Sequence, residues 1–69
     1  MPYFTIYYPR LAERLSQNGI KVTRRKSIYD ENRSTWTCQL DRKAAEIIKD
    51  FYLERGKTVP EIVETVLRE

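Results

Sequence analysis

Apolar and polar positions alternate with a period of two in some stretches of this chain and recur at helical spacing in others. Tyr3 to Tyr8 (YFTIYY) is aromatic and β-branched, a composition that favours a strand. Pro9 ends that run and suits the first position of a helix, where a missing amide costs nothing. Leu11, Ala12 and Leu15 then give one apolar helical face, and Asn18-Gly19 predicts its stop. Ile20, Val22 and Ile28 alternate with polar residues, although Arg24 and Lys26 interrupt the apolar face between them. A turn is expected at Asp30-Glu31-Asn32-Arg33. From Ser34 to Leu40 the alternation is clean: Trp36, Cys38 and Leu40 share one side, Thr35, Thr37 and Gln39 the other.

The C-terminal half turns helical. Asp41 is a natural N-cap, its carboxylate placed to accept from free first-turn amides. Ala44, Ala45, Ile47, Ile48, Phe51 and Tyr52 form a broad apolar stripe that ends near Arg55, with Gly56 as the stop. Thr58 and Glu61 stand at capping-box spacing, which predicts a last helix capped by Thr58 with Ile62, Val63, Val66 and Leu67 on its buried face. The expected order is β-α-β-β-α-α. That is an α+β fold in one domain over residues 1–69, an antiparallel sheet with helices packed on one face.

Length changes the picture by limiting the core. A domain of 69 residues buries only about 60% of the surface its unfolded chain exposes, and chains of this size often add disulfides, a metal or a partner subunit. Cys38 is the lone cysteine, so no internal disulfide can form, and without histidine no structural zinc set can be assembled. A homodimer is the expectation left by that elimination. One thiol fits a reducing, cytoplasmic compartment. No apolar run approaches the ~20 residues of a membrane span, and the opening lacks a signal-peptide layout.

Catalytic chemistry finds little to stand on. A nucleophile needs a base beside it, and without histidine neither Cys38 nor the serines have the usual one. Cys38 belongs to an apolar strand face, where a thiol packs as a small hydrophobe. Gly19 and Gly56 are too far apart for a phosphate-cradling loop. No enzyme activity, metal or cofactor is expected. Charge is more informative: the net value is +3, and Lys21, Arg24, Arg25, Lys26 and Arg33 crowd one stretch against Asp30 and Glu31 alone. Such a stripe can bind phosphates, and it is equally what a solvated hairpin carries.

The strand TWTCQL, the cap Asp41, the helix RKAAEIIKDFYLERG and the capped segment TVPEIVETVLRE resemble the ribbon–helix–helix (Arc/MetJ-like) DNA-binding repressors over Thr35–Glu69. In that family two chains pair their strands into a ribbon that enters the major groove. The resemblance implies a homodimeric DNA-binding transcriptional regulator, with Thr35, Thr37 and Gln39 facing base edges. It also implies phosphate held at the N-terminus of the last helix, at Thr58 and Val59, where Pro60 departs by removing an amide. Arg24, Arg25, Lys26, Arg33, Lys57 and Thr58 are the candidate phosphate contacts. Residues 1–33 would then form an accessory β-α-β subdomain beside a 34–69 strand and helix pair.

The opening through Tyr52, densest at YFTIYYPRLAERLSQNGIKV, is also similar to a family of short uncharacterised proteins of phages and mobile elements. Its matching residues are Phe4, Leu11, Ala12, Leu15, Gly19 and Ile20, and it implies a strand, a helix, a hairpin and a further helix without an activity. The two resemblances disagree over Ser34–Leu40. That strand pairs either with Ile20–Tyr29 inside one chain or across a dimer axis. An alternative function follows: a protein-interaction module of a mobile element that uses a strand edge or Tyr3, Tyr7 and Tyr8. The plainer expectation for those tyrosines is packing of a short strand into the core.

Overall fold

A computed structural model of the chain describes residues 2–26 and 34–69. The elements run β1 (Tyr3–Ile6), α1 (Pro9–Gln17), β2 (Val22–Lys26), β3 (Ser34–Gln39), α2 (Arg42–Glu54) and α3 (Glu61–Arg68). The α+β class and the order read from the alternation are those of the structure. The turn expected at 30–33, with Ile28, Tyr29 and Arg33, lies outside the described residues.

The three strands form one antiparallel sheet in the order β1-β3-β2. Phe4 and Val22 both stand opposite Cys38, and Thr5 and Thr23 both stand opposite Thr37. β3 is therefore the central strand, hydrogen-bonded on both edges by its own chain. This corrects the ribbon–helix–helix expectation at the point it depends on. Over Trp36–Cys38 both edges of β3 are occupied, which leaves no free amides and carbonyls there to offer a two-fold mate. Among the described residues, both partners of β3 come from the part of the chain that precedes it, β1 and β2.

Strand parity sorts the sheet into two faces. Phe4, Ile6, Val22, Trp36 and Cys38 point toward the helices, and Leu40 just beyond β3 joins them. The core is formed by Phe4, Ile6, Leu11, Ala12, Leu15, Cys38, Leu40, Ala44, Ala45, Ile48, Phe51 and Val63. Every element except β2 contributes a fully buried residue, so the sheet and all three helices share one interior. Burying each Leu, Ile or Phe side chain is worth about 1.5–3 kcal/mol.

Local chemistry sets the helix ends. Pro9 opens α1 after Tyr8, whose side chain makes no cap bond. Both α1 and α2 close in the same six-to-one and five-to-two bonds. Ile20 donates to the Leu15 carbonyl at 3.0 Å and Gly19 to Ser16 at 3.1 Å. Lys57 donates to Tyr52 at 3.0 Å and Gly56 to Leu53 at 3.1 Å. Each motif needs a residue in the left-handed region, supplied by Gly19 at φ +82° and Gly56 at φ +65°. Asp41 caps α2 as expected, its Oδ1 accepting from the Ala44 amide at 2.8 Å.

The last helix departs from expectation. It begins at Glu61 with Pro60 at the N-cap, and no side chain caps it. Thr58 is exposed and outside the helix, so the expected capping box does not form. Only Val63 of its apolar set is fully buried; Val66 and Leu67 are half-buried and Ile62 is exposed.

A candidate nucleic-acid interface on the open sheet face

The helices cover one face of the sheet and leave the other open. Its residues follow from parity: Tyr3 and Thr5 on β1, Thr35, Thr37 and Gln39 on β3, Thr23 and Arg25 on β2. Tyr3, Thr5, Thr23, Arg25 and Gln39 are exposed, while Thr37, flanked by β1 and β2, and Thr35, paired with β2, are half-buried. The candidate base-reading residues Thr35, Thr37 and Gln39 thus share one accessible face, on a central strand and not on a free ribbon.

Near the β1 end that face is concave. A depression of about 620 Å³ there is lined by Tyr3, Lys21, Thr23, Arg25, Thr37, Cys38 and Gln39. Tyr3 forms one wall and the cations Lys21 and Arg25 stand on the other side, across β3. At the opposite end the sheet narrows. The β1–β3 register stops at Ile6 opposite Trp36, whereas β2 and β3 continue through Arg25 opposite Thr35 and Lys26 opposite Ser34. Among the described residues, two strands alone are paired there.

The cationic candidates divide between several places. Arg25 lies on the open face with Lys21. Arg24 and Lys26 belong to the other face of β2, beyond the helix cover, and both are exposed. The Arg24 guanidinium donates to Ser34 Oγ from Nε at 3.1 Å and from Nη2 at 2.9 Å, which holds it against the hairpin. Arg33 lies outside the described residues.

Lys57 is elsewhere. Its Nζ donates to the Tyr8 hydroxyl at 2.7 Å and lies 4.6 Å from the centre of that ring. It belongs to an aromatic group at the α1–α2 junction in which Tyr52 packs edge to face against Tyr8 and Phe51, and Tyr8 and Phe51 are tilted against each other, with Arg55 4.3 Å from the centre of the Phe51 ring. Thr58 sits in the α2–α3 connection. The first turn of α3 carries Glu61 and Glu64, whose charges oppose a phosphate there. Lys57 and Thr58 therefore do not join the sheet-face residues.

Acids keep to one side of the same boundary among the described residues, whereas cations lie on both. Among the described residues, the strands and the positions flanking them (2–8, 20–26 and 34–40) hold Lys21, Arg24, Arg25 and Lys26 and no acid. The acids Glu13, Asp41, Glu46, Asp50, Glu54, Glu61, Glu64 and Glu69 all stand in helices, at their ends or at the Asp41 cap. On the helical side Arg14 donates to both Glu54 oxygens at 2.9 and 3.1 Å, which raises the arginine pKa and lowers the carboxyl's.

Chemistry beyond charge is sparse in this region. Burial, followed by the charge of Asp41, raises the Cys38 thiol pKa, so the nucleophilic thiolate is disfavoured. No grouping of three Cys, Asp or Glu suited to a metal occurs among the described residues. No described helix is long and apolar enough to cross a membrane.

Sequence reasoning missed Tyr3, Thr5, Lys21 and Thr23 as members of this face. Tyr3 and Tyr7, expected in the core, are 73% and 67% exposed, and Tyr8 alone of the three is half-buried against the core. The signal was present in strand phase: Phe4 and Ile6 are the apolar pair of β1, which puts Tyr3 and Thr5 opposite. Comparison of the chain with protein-family models, with curated proteins and with solved structures found no match.

Proposed function

We propose that the protein is a small non-enzymatic DNA-binding module that holds the sugar–phosphate backbone with the basic β2–β3 hairpin and presents Thr35, Thr37 and Gln39 to bases. The observation that carries this reading is the charge of the described sheet regions: Lys21 and Arg25 on the open face and Arg24 and Lys26 on the other face of β2, with no acid among them, whereas the helical side carries acids and cations alike. A surface of one sign concentrates a polyanion and steers its approach. Threonine and glutamine suit base edges because Gln can pair with adenine in bidentate fashion and Thr offers a hydroxyl or a methyl.

Because β3 is paired on both sides, this reading does not draw on a ribbon shared by two subunits. Its elements are within one chain. Of the three candidate base readers only Thr35 stands where, among the described residues, β2 and β3 alone are paired; Thr37 and Gln39 lie where β1 also flanks β3. Regulation of transcription is one use of such a module.

The test is titration of labelled DNA over a salt series with the wild-type chain and with Arg25→Ala. Binding is expected to weaken linearly in the logarithm of salt. Arg25→Ala should weaken all sequences alike and reduce the slope by about 0.9, the value for one duplex phosphate no longer neutralised. Absence of binding at low salt, or binding indifferent to salt and to Arg25, overturns the reading. It would then favour a protein-interaction module, for which the exposure of Tyr3 and Tyr7 is the supporting observation.

A further inference from the structure

The depression on the open face has a shape that the duplex reading does not use. Thr37 and Gln39 of β3 line it, with Tyr3 on the β1 side and Lys21 and Arg25 on the β2 side. A base pair inside a duplex offers only its edge, at the bottom of a groove, and a groove is filled by a protrusion. A hollow between two flanks holds space that a base edge kept inside its groove does not fill. An unpaired nucleotide can enter the hollow instead, base first.

We infer that this hollow binds unpaired nucleotides, so that single-stranded polynucleotide is preferred over duplex. The proposal rests on the nucleic-acid reading above and names the form of its ligand. Three observations fit that occupant together. Tyr3 is 73% exposed on the sheet face, leaving a ring free for a base to stack on. Opposite Tyr3 on the neighbouring strand is Gln39, exposed, with an amide able to donate to and accept from a base edge. Lys21 and Arg25 are four positions apart in extended chain, about 13 Å, which lets each meet a different phosphate of one strand. The depression, about 620 Å³, is open to solvent, as a site for a base within a longer strand must be.

Stacking is indifferent to base identity, because every base has a π-face. Sequence preference in this mode is therefore modest and comes through Gln39. DNA and RNA strands share the base and phosphate chemistry used here, and separate arms of the test tell them apart.

The experiment is fluorescence anisotropy at one fixed low salt with a labelled 12-nucleotide DNA strand, the same sequence as RNA, and the DNA as a duplex. Proteins are the wild-type chain, Tyr3→Ala, Tyr3→Phe and Arg25→Ala, each checked for an unchanged thermal unfolding profile. Tighter binding of a single strand than of duplex is expected. Tyr3→Ala should weaken the strand by roughly 5- to 150-fold and leave duplex binding nearly as it was, and Tyr3→Phe should retain strand binding. A preference for either the DNA or the RNA strand supports the inference and identifies the source. Duplex binding at least as tight as strand binding, or a Tyr3→Ala chain that binds the strand like wild type, overturns it. If Arg25→Ala still weakens binding in that case, the nucleic-acid reading survives; if Arg25→Ala has no effect either, both fall.

Discussion

Ile6 and Arg24 face the same residue, Trp36, from the two neighbouring strands and point to the same side of the sheet, yet Ile6 is fully buried and Arg24 is exposed. The helix layer ends between them. On the β1 side that face is core; on the β2 side, past Val22, it is free to carry charge. This boundary lets a strand that begins with a half-buried valine continue as a basic hairpin arm, and Trp36, half-buried, bridges the two zones.

Replacement of the two residues should separate stability from binding. Ile6→Ala leaves a cavity in the shared core and should cost about 2–5 kcal/mol in urea unfolding. Arg24→Ala should stay within about 0.5 kcal/mol, as expected for an exposed position. If the phosphate role holds, that same variant binds DNA more weakly and with a shallower salt slope. Equal destabilisation by the two would contradict the boundary.

Gln39→Ala addresses base reading. On the proposed function, discrimination at one base position should fall by roughly 1–3 kcal/mol while affinity for random sequence changes little. A competition titration between preferred and scrambled sequences measures this. Equal loss on both would remove Gln39 from that role.

Asp41 holds the first turn of α2 through its 2.8 Å bond from the Ala44 amide. Asp41→Ala should lower unfolding free energy by about 0.5–2 kcal/mol, and Asp41→Asn or Asp41→Ser should recover most of the loss. Thr58→Ala, by contrast, should be close to silent, because Thr58 caps nothing.

Gly56 tests backbone conformation without packing. A methyl group at this position meets no atom within 4 Å, yet φ is +65°. Gly56→Ala should therefore destabilise through the left-handed conformation alone, by about 1–2 kcal/mol. Substitution by Asn should cost less, since its side chain tolerates that region better. Thermal unfolding of the pair decides it.

Cys38 links burial to pH. Its pKa is raised on folding, chiefly by burial, so the folded state favours the neutral thiol. The group's contribution to stability is then complete below the unfolded thiol pKa of about 8.5 and declines as pH rises toward the folded value. Labelling by a thiol reagent at pH 8 should proceed at the rate of opening and accelerate in urea. Rapid labelling of the native chain would contradict the buried placement.

The elements were legible because their signals are local. Gly19 and Gly56 mark stops that nearby backbone bonds complete, and Asp41 caps the turn that immediately follows it. Alternation in TWTCQL was enough to put Thr35, Thr37 and Gln39 on one side and Cys38 and Leu40 on the other. The capping-box spacing of Thr58 and Glu61 misled, because Pro60 holds φ at −58° with an extended ψ of 140° and delays the helix start to Glu61.

By itself, the sequence determined the order of strands and helices, the two sides of the central strand and the stretch in which cations gather. These depend on contacts between residues a few positions apart. The tertiary structure alone decided which strand lies in the middle, and hence that a two-fold ribbon is closed and that Tyr3 joins Arg25 on one open face. Period-two alternation describes one strand at a time, and an identical pattern is satisfied by a mate from another chain or by β1 from the same one. Only the long-range pairing of Phe4 and Val22 with Cys38 makes that choice.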